Sequence, residues 1–97
     1  MNAYLPKLRK RIAKSERGYS ACWALVEQPS LLIVKNQSGQ WRVFCDRVYL
    51  MAEEPELPVH VLRSLRIESD LSEYKFLTRR DALQAIQMWI IRATDNA

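Results

Sequence analysis

His60 is the only side chain here that exchanges a proton near neutral pH without strong tuning, so general acid–base chemistry would have to run through it. It stands between Val59 and Val61, far in sequence from either cysteine, and reads more simply as a surface or half-buried helix histidine. Cys22 and Cys45 lack the C-x-x-C spacing of a zinc or thioredoxin-like site and read as small core residues that stay reduced. Glu53, Glu54 and Glu56 cluster in AEEPELP, where carboxylates can meet a divalent cation. Their spacing is not that of a calcium loop, and such a cluster is more often solvated. Neither a glycine-rich phosphate loop nor a G-x-S-x-G elbow is spelled out. The expectation is a non-catalytic chain with no cofactor and no metal.

The chemistry that remains is charge. Fifteen Lys and Arg against eleven Asp and Glu give a net +4 over 97 residues. Residues 1–18 alone carry Lys7, Arg9, Lys10, Arg11, Lys14 and Arg17 against Glu16, a net +5, so the rest of the chain is close to neutral. A basic segment of this kind suits an anionic partner, although it is equally the solvated face of a soluble domain.

These charges need elements to hold them. Pro6 suits the first turn of a helix, Leu5, Leu8 and Ile12 recur at helical spacing, and Gly18 suits a helix stop. A short basic helix is therefore expected over about residues 6–16, within a segment 1–18, followed by one α+β domain over 19–97. In YSACWAL, Tyr19, Ala21, Trp23 and Leu25 alternate with Ser20, Cys22 and Ala24, a strand pattern apolar on both faces. LLIVK makes a second strand, Asn36–Gln40 a hairpin turn with Gly39 at positive φ, and WRVFCD a third strand. There Trp41, Val43 and Cys45 face one way, and Arg42, Phe44 and Asp46 the other. Arg47–Met51 extends that strand past a bend, and 52–58 is an acidic loop. Pro58 opens a helix with Val59, Leu62 and Leu65 inward, ended by turn chemistry at Glu68-Ser69-Asp70, and Tyr74–Leu77 is a short edge strand. Thr78 and Asp81 form a capping-box variant ahead of an amphipathic helix with Ala82, Leu83, Ile86, Trp89, Ile90 and Ala93 inward.

The architecture expected is thus α+β: a three- or four-stranded antiparallel sheet packed by a C-terminal amphipathic helix, with a short basic N-terminal helix. The core expected is Trp23, Leu25, Leu32, Val34, Trp41, Val43, Leu83, Ile86, Trp89 and Ile90. Both sheet faces should be covered, one by the last helix and the other by the first helix, the 58–66 segment or a second subunit.

LLIVKNQSGQWRVF followed by FLTRRDALQAI resembles the AP2-type and integrase arm-type DNA-binding domains, in which a three-stranded sheet packs on one C-terminal helix. The resemblance covers residues 31–46 and 76–90, and the 47–75 connection is longer than in that family. It implies that the hairpin reads the major groove of duplex DNA through Lys35, Gln37, Gln40 and Arg42, whose side-chain types match base edges. Helix, three strands and helix is also the element order of the double-stranded RNA-binding domain, where Arg79 and Arg80 would meet phosphate. Lys7, Arg9, Lys10, Arg11 and Lys14 would neutralise phosphates without reading sequence.

The function expected is a non-catalytic nucleic-acid-binding protein that uses a basic N-terminal helix and a β-hairpin. A small adaptor or inhibitor of a larger protein is the alternative. A homodimer fits either. No apolar run spans a bilayer and no secretory leader is evident, so the location expected is cytoplasmic and no membrane contact is expected.

Overall fold

The computed structural model describes residues 5–11, 18–47 and 58–95. Among these residues four strands come first and two helices follow: β1 (Leu8–Arg11), β2 (Tyr19–Leu25), β3 (Leu31–Asn36), β4 (Trp41–Cys45), α1 (Val59–Leu71) and α2 (Arg79–Asp95). The strands form one antiparallel meander in chain order, β1-β2-β3-β4. This is the α+β architecture expected, with the C-terminal helix packed on the sheet.

The N-terminal helix is not seen, and the described part of that segment is an edge strand. Leu8 pairs with Leu25, Arg9 with Ala24, Lys10 with Trp23 and Arg11 with Cys22. Two physical reasons favour the strand. A short helix forms one hydrogen bond at the cost of fixing a whole turn, whereas β2 offers a ready row of backbone partners, such as the Val26 N–H donating to the Lys7 carbonyl at 2.9 Å. Alternation also puts Leu8 on the main core while its neighbours stay in water. Gly18 does take positive φ, at 71°, but as the turn residue before β2 rather than as a helix stop. Residues 12–17, with Lys14, lie outside the described residues, as do 48–57 with the three clustered glutamates.

The hairpin between β3 and β4 is as its composition demands. Gly39 sits at φ 82°, where a Cβ would be strained. The Gly39 N–H donates to the Asn36 carbonyl at 3.1 Å, and the Asn36 N–H to the Gln40 carbonyl at 2.8 Å.

Both helices pack on the same face of the sheet. Leu25, Leu31, Ile33 and Val43 from the strands meet Ile67 from α1 and Ala82, Leu83 and Ile86 from α2 in one buried cluster. Trp41, Trp89 and Ile90 border it half-buried instead of filling it. The Trp89 indole N–H reaches Asp70 Oδ2 at 2.5 Å and ties α2 to α1. On α1 the buried residues are Val61, Ser64 and Ile67, so the expected stripe is rotated: Val59 is 82% exposed and Leu62 45%. Ser64 can be buried because the loop between β2 and β3 supplies polar partners. Gln28 Nε2 donates to Ser64 Oγ at 2.6 Å, and Ser30 Oγ lies 2.7 Å from it. Glu68-Ser69-Asp70 is helix, not turn. Ile67 and Leu71 pack on the core, and Glu68 Oε2 accepts the Cys45 N–H at 2.5 Å while its other oxygen meets Arg47 at 2.8 Å. The expected 74–77 strand contracts to one bridge, with Trp41 and Phe76 exchanging N–H···O bonds of 2.8 Å.

No described helix covers the opposite face, yet Cys22, Ala24, Leu32 and Val34 are buried there. A bulge at Tyr19/Ala21 turns Tyr19 onto this face, away from Trp23 and Leu25, to lean on Phe44 with ring centroids 5.9 Å apart. Arg11 of the first edge strand bonds Asp46, just past the last, at 2.9 Å. A flat four-stranded sheet would hold those edges about 14 Å apart. The sheet is therefore strongly curled, and the Arg11 side chain closes the curl.

Cys45 lies on the helix side and Cys22 on the opposite face; both are reduced thiols. Burial first, then the Glu68 carboxylate, pushes the Cys45 thiol up from its ordinary value of 9.0, and Arg47 offsets this only in part. The folded thiol keeps its proton to higher pH than the unfolded one, so its contribution is complete below the unfolded value and is lost as pH climbs through the folded one. Denaturant midpoints measured against pH should decline above pH 9.0, less steeply in Cys45→Ser. Parallel declines would show that the thiol does not titrate differently in the two states.

Candidate nucleic-acid interface

The site is built by four elements. Leu5, Pro6 and Leu8 lead into and along β1, Trp23 comes from β2, Trp41 from β4, and Thr78, Arg79, Arg80 and Leu83 from the start of α2. Together they line a cleft of about 660 Å³. Strand alternation brings Trp23 and Trp41 to the helix side, the first beside Leu25 and the second two residues from Val43. α2 begins here because the Thr78 hydroxyl accepts the Asp81 N–H at 3.0 Å, a side-chain cap that starts the helix at Arg79.

Cations gather around this cleft. The Arg79 guanidinium lies 4.2 Å from the centre of the Trp23 ring, and Lys35 Nζ lies 5.8 Å from that of Trp41. Lys10 is the cross-strand partner of Trp23 and shares its face. Arg80 lines the cleft and is exposed. Among the described residues the ion pairs are Arg11–Asp46 and Arg47–Glu68, so Lys10, Lys35, Arg79 and Arg80 carry none. Among those residues no carboxylate lines the cleft; Asp81, one residue beyond Arg80, is exposed and is not part of it. A guanidinium held over an indole by cation–π attraction still has N–H donors to offer an anion.

The residues expected to act in nucleic-acid binding are thus divided. Lys10, Lys35, Arg79 and Arg80 are brought together, and Lys7, exposed, directly precedes β1. Arg9 and Arg11 alternate to the opposite face, where Arg11 is held by Asp46. Gln40 belongs to the turn: its N–H donates to Asn36 Oδ1 at 2.9 Å and its Oε1 accepts from Asn36 Nδ2 at 3.3 Å. Arg42 lies over the Phe44 ring at 5.1 Å and donates from Nε and Nη2 to the Ser72 carbonyl, at 3.2 and 2.5 Å. Sequence reasoning assigned Trp23 and Trp41 to the core and so missed their part in the cleft. The only local signal was an aromatic residue on a strand beside a basic one, as in Gln40-Trp41-Arg42. Among the described residues no group of His, Cys, Asp and Glu is placed to hold a metal ion, and no helix is long and apolar enough to cross a membrane.

No protein-family model, curated protein or solved structure matches the chain.

Proposed function

We propose that this protein binds nucleic acid without catalysis, through the cleft between β1 and the start of α2. The observation that carries the reading is the gathering of Lys10, Lys35, Arg79 and Arg80 around two tryptophans, with no described acidic partner for any of the four. Phosphate supplies the missing countercharge, and each phosphate neutralised releases condensed counterions. The basic N-terminal segment keeps its role in this reading, but as a strand that delivers Lys10 to the cleft. The hairpin contributes Lys35 and Trp41, not the Gln40 and Arg42 pair.

The test is binding of labelled 20-mers, single-stranded and duplex, DNA and RNA, across a salt series. Lys10→Gln with Arg80→Gln should flatten log K against log salt by roughly 0.7–0.9 unit for each phosphate that is no longer neutralised. Arg92→Gln, at the far end of α2, should leave the slope unchanged. Failure of all four nucleic acids to bind at low salt would overturn the reading. The protein-partner alternative would then stand on the exposed apolar side chains of Val59 and Leu77, 82% and 81% accessible.

A further inference from the structure

Resting on the nucleic-acid reading of the cleft, we propose that its ligand is an unpaired nucleotide of a single strand, whose base lies on the outer face of the Arg79 guanidinium while Trp23 supports the inner face. The Arg79 guanidinium carbon lies 4.2 Å from the Trp23 ring centre and the residue is exposed, so the indole backs the group on one side while solvent still reaches it. Single-stranded nucleic acid is recognised by stacking of splayed bases on aromatic rings and on arginine planes. A duplex cannot offer such a face, because its bases are already stacked on each other.

The shape of the site points the same way. The cleft of about 660 Å³ is open to solvent and large enough to receive a base. Its walls combine Leu8, Trp41 and Leu83 with the cations. An extruded base can be held by such apolar walls, whereas a duplex backbone is held chiefly by charge. Lys10 and Arg80 stand beside this recess to take the phosphate of the same nucleotide. A described lining without a carboxylate fits an anionic ligand.

The experiment measures fluorescence anisotropy of the full chain with a single-stranded 20-mer and with its duplex, as DNA and as RNA, at one low salt concentration. The single strand should bind at least about tenfold tighter than its duplex. Trp23→Ala removes the ring that backs Arg79 and should weaken single-strand binding by at least roughly fivefold, the low end of what losing a stacking platform costs. Trp23 is half-buried, so a second variant guards against misfolding: Arg79→Lys, on an exposed position, keeps the charge and removes the plane. It should abolish the single-strand preference while the salt slope stays that of the parent. Equal binding of both forms by the parent, or an unchanged preference in Arg79→Lys, would overturn this inference and leave the broader nucleic-acid reading standing. Absence of binding to either form would remove both.

Discussion

Ile33→Ala is expected to lower the unfolding free energy by about 2–5 kcal/mol, measured by denaturant titration. Ile33 is fully buried on the third of four strands, between the cross-strand neighbours Trp23 and Val43. It shares one cluster with Leu25, Ile67 and Ile86, so sheet and both helices meet around it. Truncation removes three carbons from a site walled on every side, and the cavity has little room to collapse. Small domains hold only about 5–15 kcal/mol in total, so this one change should bring the protein near its unfolding threshold. A loss below about 1 kcal/mol would mean that the helices are not seated on β3 as described.

Arg42→Ala is expected to cost about 1.5–3 kcal/mol, the range for a hydrogen bond made by a charged group, with no change in nucleic-acid sequence preference. Two guanidinium nitrogens converge on the Ser72 carbonyl at the end of α1, where unsatisfied carbonyls and the negative end of the helix dipole favour a cation. The ring of Phe44 lies under the same guanidinium. Arg42→Lys should recover part of the loss, because an ammonium keeps the charge without the two-pronged geometry. A stable Arg42→Ala variant that discriminates less well between sequences would return this residue to base reading.

Much of the fold was legible because its signals are local. Strict alternation in YSACWAL and WRVFC, the Ser38-Gly39 turn and the capped apolar face after Thr78 each specify their element within a few residues. What escaped depended on partners distant in sequence. LRKR carries one apolar residue in four, and its state is decided by pairing with Cys22–Leu25. The inward stripe of α1 contains Ser64, which looks like a surface residue until Gln28 and Ser30 are placed against it. Tyr19 follows the Trp23 pattern in sequence, and only the bulge turns it over. The same division holds for the cleft. Lys10, Lys35, Arg79 and Arg80 could each be named from charge, but all four strands and α2 had to be assembled before they surrounded Trp23 and Trp41. Arg42, which looked equivalent, is taken by α1.

The order of the elements along the chain governs how the domain is exposed while it is made. All four strands leave the ribosome before either helix, and each pairs with its predecessor, so the meander can form early. Its Leu31, Ile33 and Val43 face then stays open until α1 and, last of all, Ile86 of α2 arrive. During that interval β4 also lacks Phe76 and Glu68, which later occupy the outward backbone groups of Trp41 and Cys45. The nascent sheet thus presents an apolar face and an unguarded edge together, a combination prone to pairing with other chains. Synthesis of α2 removes the first hazard, and Glu68 of α1 together with Phe76 just before α2 removes the second.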